Sequence, residues 1–208
     1  MSRWLAKGLQ WWLRQQVSGV DALTVEVEAT NSELWAGRVG RLAVQAEGAI
    51  YQGLVLSRVA LEAKAVGIQW DFWRRGEDPF TEMITVAIVL ELTQEDLRTS
   101  LISPLLDVAL QEPLSQLAGR PVSLTALTAL EMAAAGITWQ WGGEAPLILT
   151  TLLACPDPGS LTLTCVTSQR QVGLPLGTDI VLDSLTLTQG CLKGEGRLLI
   201  RPAGATAG

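Results

Sequence analysis

The sequence predicts an α+β fold: an antiparallel β-meander with one long, broken helix in its middle and a short amphipathic helix ahead of it. Three observations carry this. From Leu23 onward apolar and polar residues alternate with period two, the sign of half-buried strands. A stretch from 94 to 118 changes to three- and four-residue spacing, with Leu97, Leu101, Leu105, Val108, Leu114 and Leu117 in one stripe. Residues 2–20 carry a basic, tryptophan-rich pattern with amphipathic helical spacing ahead of the strands.

The first segment, 1–20, reads as a helix. At 100° per residue Leu5, Gly8, Leu9, Trp12, Leu13, Val17 and Val20 share one face. Arg3, Lys7, Gln10, Arg14 and Ser18 share the other, with Trp4 and Trp11 at its edge. Two readings fit. In one, the helix lies in a membrane interface, with Leu5, Leu9, Trp12 and Leu13 in the acyl boundary, indoles of Trp4, Trp11 and Trp12 at headgroup depth, and Arg3, Lys7 and Arg14 toward anionic lipid. In the other, it docks on the protein's own core, which requires the same amphipathicity.

The remainder, 21–202, reads as a single domain. Leu23, Val25, Val27 and Ala29 alternate with Thr24, Glu26, Glu28 and Thr30. Arg41–Glu47 repeats the pattern with Leu42, Val44 and Ala46 on one side. After a turn at Gln52-Gly53, residues 54–65 place Val55, Ser57, Val59, Leu61 and Ala63 opposite Arg58, Glu62 and Lys64. Residues 83–92 are apolar almost throughout, which predicts a strand covered on both faces. Thr93-Gln-Glu-Asp96 has the form of a capping box, Pro104 after Ser103 should kink or restart the helix, and Gly119-Arg-Pro121 should end it. Further strands are predicted over 122–130, 136–141, 147–155, 161–172, 181–188 and 192–201, and a frayed tail over 203–208.

The loop Gln69-Trp70-Asp71-Phe72-Trp73-Arg74-Arg75 also has two readings. Trp70, Phe72, Trp73, Arg74 and Arg75 can form a second lipid-surface contact, the arginines pairing with phosphates. Alternatively the rings close one end of the core with arginine stacked on them.

Composition limits the function classes. Apolar residues make up 48% of the chain and charged ones 17%, with a mean hydropathy of +0.29. No run approaches the ~18 apolar residues of a membrane span, so the apolar excess must face a core, a lipid-lined groove or a membrane surface. Residues 1–20 hold three basic side chains and no acid, leaving 12 basic against 21 acidic in the body, which argues against a nucleic-acid partner. With no histidine, most Ser-His, Cys-His and His-metal chemistry is excluded, and no Gly-rich phosphate loop is present. Cys155, Cys165 and Cys191 lack metal-site spacing and read as reduced structural thiols. Catalytic residues, metal and cofactor are accordingly all expected to be none.

The runs Val20-Asp-Ala-Leu-Thr-Val-Glu-Val-Glu28, Leu34-Trp-Ala-Gly-Arg-Val-Gly-Arg-Leu-Ala-Val-Gln-Ala-Glu-Gly48, Leu54-Val-Leu-Ser-Arg-Val-Ala-Leu61 and Leu92-Thr-Gln-Glu-Asp-Leu97 resemble the LmeA-like phospholipid-binding family. That resemblance implies a long, strongly curved sheet wrapped on the helix, as in tubular lipid-binding proteins of the BPI type, with a phospholipid or fatty acyl ligand and no catalytic residues. Envelope members carry a secretion or anchoring segment, and the interleaved basic residues of 2–20 do not form one. The expected location is therefore cytoplasmic, peripheral on the inner or an internal membrane. The expected function is non-enzymatic phospholipid binding or transfer at a membrane surface. The alternative is a peripheral structural adaptor that binds a protein partner and has no lipid cavity. An open sheet edge could also pair two copies into a homodimer.

Overall fold

The computed structural model describes residues 2–69, 79–174 and 179–202, with side chains from Leu5 onward. Trp70, Phe72, Trp73, Arg74, Arg75 and the tail 203–208 lie outside the described residues. The fold is α+β and its sheets are antiparallel, but the strands divide into two sheets instead of one meander.

The first sheet has six strands: β1 (Ala22–Glu28), β2 (Arg38–Tyr51), β3 (Leu54–Gly67), β4 (Ile84–Thr93), β11 (Cys191–Ile200) and β10 (Ile180–Thr188), in that spatial order. The second has five, in chain order: β5 (Leu127–Ala133), β6 (Gly136–Trp141), β7 (Leu147–Ala154), β8 (Leu161–Cys165) and β9 (Gln171–Leu174). The first sheet thus joins both ends of the chain, and the second is an insertion between β4 and β10. Long β2 and β3 form a hairpin on Gln52 (φ 50°) and Gly53 (φ 82°), the two consecutive left-handed residues a tight two-residue turn requires.

Four α-helices complete the described structure. α1 (Ser2–Gln16) lies on the first sheet. The short α2 (Asn31–Trp35) is capped by Thr30 and Glu33, each side chain bonding the other's backbone N–H. The expected long helix is two helices, α3 (Gln94–Ser100) and α4 (Pro104–Ala118). Pro104 sits at the start of α4, and Ser103 caps it by accepting the Leu106 N–H at 3.2 Å, so the proline restarts the helix. Gly119 closes it at φ 69°. α3 packs beside β3, where β4 has already ended, whereas α4 packs on β8 and β9 of the second sheet.

Two clusters of buried side chains result. One joins α1 and Leu34 to one end of the first sheet, through Leu5, Leu9, Leu42, Val44, Ala63, Ile84 and Val86. The other joins α3 and α4 to the second sheet and to Leu92, through Leu97, Leu101, Leu114, Leu117, Met132, Trp139 and Leu163. Trp139 resolves its polarity by donating from Nε1 to Thr151 Oγ1 at 2.9 Å, deep in this core.

Three expectations need correction. β4 is not covered on both faces, because Thr85 and Ala87 are exposed and Met83 before it is 61% exposed. The span 161–172 is a hairpin of β8 and β9, turned at Gln169 with φ 57°. The start of 122–130 is a 3₁₀ turn, Leu124–Ala126, that drops Leu124 into the second core.

Leu114 has no exposed surface. Leu114→Ala should cost about 2–5 kcal/mol. At about 2–4 °C per kcal/mol for a chain of this size, calorimetry should show a melting temperature lower by several degrees or more.

Candidate functional site

The pleat gives the first sheet two faces, and the pairing register aligns them across all six strands. One row runs Val27, Leu42, Ala63, Val86, Leu198, Ile180. The next runs Val25, Val44, Leu61, Ile88, Gly196, Leu182, and a third runs Leu23, Ala46, Val59, Leu90, Gly194, Leu185. None of these positions carries a polar side chain.

The opposite face is ionic. Arg41 on β2 bonds Glu28 on β1 at 2.8 Å and Glu62 on β3 at 3.0 Å. Lys193 pairs with Glu195 and Arg197 with Asp183. The Glu62 carboxyl is held below its ordinary range by its hydrogen bond from Arg41. Charge on one side and hydrocarbon on the other make the apolar face the inner one.

α1 covers part of the inner face. Leu5 and Leu9 are each 1% exposed, Trp12 meets Phe80 edge-on with ring centroids 5.9 Å apart, and Gln10 Nε2 donates to the Leu23 carbonyl at 2.6 Å. Between α1 and the sheet remains a void of about 40 Å³ with a wholly apolar lining that includes Leu9, Trp12, Leu13, Leu42, Leu61 and Phe80.

The second core covers the other end, and a strip between them is left over. Val59, Ile88, Leu90 and Leu185 belong to neither core and each keeps part of its surface exposed. At Gly194, between Leu90 and Leu185 in the third row, an added Cβ would stand 3.2 Å from Leu90 Cδ1 and 3.4 Å from Leu182 Cδ1. Glycine there keeps the floor of the strip low.

The residues singled out in the sequence are placed as follows. Leu5, Leu9, Trp12 and Leu13 face the sheet. Lys7, Trp11 and Arg14 are exposed and, at spacings of four and three, form one stripe on the outward side of α1. Arg3 and Trp4 lie on α1 with side chains outside the described part. Ala46 and Ala63 are buried on the inner face, whereas Ala87 alternates onto the outer face and is exposed. The strip itself was not singled out, although the alternation of Val59 and Leu61 placed those two on one face.

No helix among the described residues is long and apolar enough to cross a membrane. No group of three or more His, Cys, Asp or Glu among them is arranged to hold a metal. The three cysteines are free. Carboxylates do gather in a cleft lined by Asp21, Glu47, Arg58, Glu91 and Asp96, but four acids against one guanidinium disfavour a phosphate there.

A family model matches residues 2–203, nearly the whole chain. The chain belongs to the LmeA-like phospholipid-binding family. No curated protein and no solved structure matches it.

Asp96 in this family member is structural. It accepts from Thr93 N at 2.8 Å and from the Ser57 hydroxyl, tying α3 to the exposed edge of β3, while Ser100 Oγ accepts from Val55 N at 2.8 Å. Burial penalises the Asp96 charge, but the bonds from Ser57 and Thr93 outweigh it and hold the carboxyl below the ordinary range. A lowered folded pKa stabilises the fold above the ordinary Asp value of about 3.9, and the contribution is lost as pH falls through the folded value. Asp96→Asn should cost about 1 kcal/mol at neutral pH, as for other lost caps. The gap in melting temperature from wild type should close as the pH falls below about 4.

Proposed function

We propose that this protein binds phospholipid non-enzymatically, laying acyl chain on the inner face of the first sheet, and acts at a membrane surface in lipid binding or transfer. The observation that carries this is the partly exposed strip at Val59, Ile88, Leu90 and Leu185, aliphatic residues of the inner face that belong to neither core. Each methylene buried there contributes roughly 0.8 kcal/mol, so the acyl chains would supply most of the affinity and headgroup discrimination would be modest. The Lys7–Trp11–Arg14 stripe supports docking on an anionic, cytoplasm-facing leaflet, with the indole at the interface and each cation adding about 1 kcal/mol.

Native mass spectrometry after incubation with phosphatidylglycerol vesicles tests the binding. Adducts of phospholipid mass, removed by organic extraction, are expected. Leu90→Gln should abolish most of the uptake, and Ala87→Gln on the outer face should leave it unchanged. A bare protein mass throughout would favour the adaptor that binds a protein partner.

The membrane contact is separable. In a vesicle flotation assay, Trp11→Ala combined with Arg14→Gln should reduce binding to anionic vesicles about tenfold or more, by removing one interfacial indole and one cation. Unchanged flotation would take α1 out of the membrane contact.

A further inference from the structure

We infer that α1 is a displaceable plug, occupying in the lipid-free protein the part of the inner face into which a bound acyl chain extends. This rests on the phospholipid reading above and goes beyond it by naming where the chain lies and what must move.

Length is the first argument. Adjacent rows on a strand face are two residues, or about 7 Å, apart. The partly exposed Leu90 and Ile88 therefore span about one such step along the strands, whereas an acyl chain spans half of a ~30 Å hydrocarbon core. Across the strands the row Val59, Leu90, Gly194, Leu185 offers about 14 Å at ~4.8 Å per strand, so it is a chain running along the strands that must continue under one of the two covers. Register makes the path toward α1 continuous, since Ile88 pairs with Leu61, and Ala63 beside it pairs with Val86, all on the inner face. Leu5, Leu9, Trp12 and Leu13 of α1 stand on that path, in the position hydrocarbon would take.

The two covers meet the sheet differently. Polar bonds from Val55 N to Ser100 Oγ and from the Ser57 hydroxyl to Asp96 tie α3 to β3. α1 brings Leu5, Leu9, Trp12 and Leu13 to the sheet, with the Gln10–Leu23 bond beside them and the void of about 40 Å³ beneath. Just after it the chain is anchored by Ser18 N to Ile50 O at 2.8 Å and Ile50 N to Gly19 O at 2.9 Å. A swing of the helix about Val17 would break the Gln10–Leu23 bond and leave these anchors in place.

The exchange is close to balanced. On release, the apolar side of α1 passes from sheet to bilayer interface, the sheet passes from helix to acyl chain, and the outward stripe already carries the interfacial residues. Differential binding of lipid to the open form then drives the change.

The test titrates palmitoyl lysophosphatidylglycerol, whose chain has full bilayer length and which is kept monomeric, into wild type and Leu9→Ala. Weakening the plug raises the open fraction, and apparent affinity follows that fraction, so the variant should bind about tenfold tighter or better. Equal or weaker binding by the variant, with wild type still binding, overturns the plug and leaves lipid binding standing. Uptake by neither protein overturns both readings.

A second measurement does not depend on that variant. Spin labels at Lys7→Cys and Ala87→Cys, with the three native cysteines replaced by serine, report the distance from α1 to the outer face of the sheet. Loading with phosphatidylglycerol vesicles should add a second, longer distance. A distribution unchanged in protein shown to hold lipid overturns the plug.

Discussion

The uninterrupted hydrocarbon of one sheet face is the constraint to which the rest of the fold responds. Three aligned rows of aliphatic residues and glycine cross six strands, and a face of that kind cannot be left to water. Burying a single leucine contributes about 1.5–3 kcal/mol, so a helix that brings Leu5 and Leu9 to the face is held there by those side chains more than by any hydrogen bond. At the far end the covering is heavier: α3, α4 and a complete second sheet enclose Leu92 and its neighbours. The inserted sheet is therefore part of the answer to the first sheet's inner face.

The ionic outer face has a different role. Arg41 between Glu28 and Glu62 joins three strands, yet these side chains are one-third to two-thirds exposed and such pairs contribute at most about 1 kcal/mol each. Their greater effect is on register. A slip of one residue in β1, β2 or β3 would turn Glu26, Arg41 or Glu62 onto the inner face and Val25, Leu42 or Leu61 into water. Opposite faces of opposite chemistry make each strand choose one pairing.

What could be read from the chain follows from the range of the forces involved. Strand alternation, the Thr93–Asp96 cap, the break at Pro104 and the stop at Gly119 are local and were legible. The Thr30-Asn-Ser-Glu33 cap of α2 was equally local and was passed over because the preceding alternation runs into Thr30. The division into two sheets was not legible, since strand order depends on contacts between residues a hundred positions apart, as between β4 and β11. The phase of β4 was not legible for a related reason: in a run that is apolar on almost every residue, alternation does not say that Ala87 faces outward, and only pairing to β3 does. The partly exposed strip is a tertiary remainder, what two independent cores leave between them, and no single segment encodes it.

The ambiguity of α1 has a deeper cause. An amphipathic helix detects an apolar plane bordered by polar groups, and both the inner face and a membrane interface are such planes. The leucines that satisfy one satisfy the other, so helix pattern alone carries no preference between them. The discriminating features lie on the side that does not touch the sheet. Closing a core calls on the inward side of α1 and makes no demand on Trp11, 52% exposed between Lys7 and Arg14. Against a lipid interface the same three residues are each favourable. The inward side of α1 accounts for where the helix rests, and its outward side is the one suited to the interface onto which we propose that it moves.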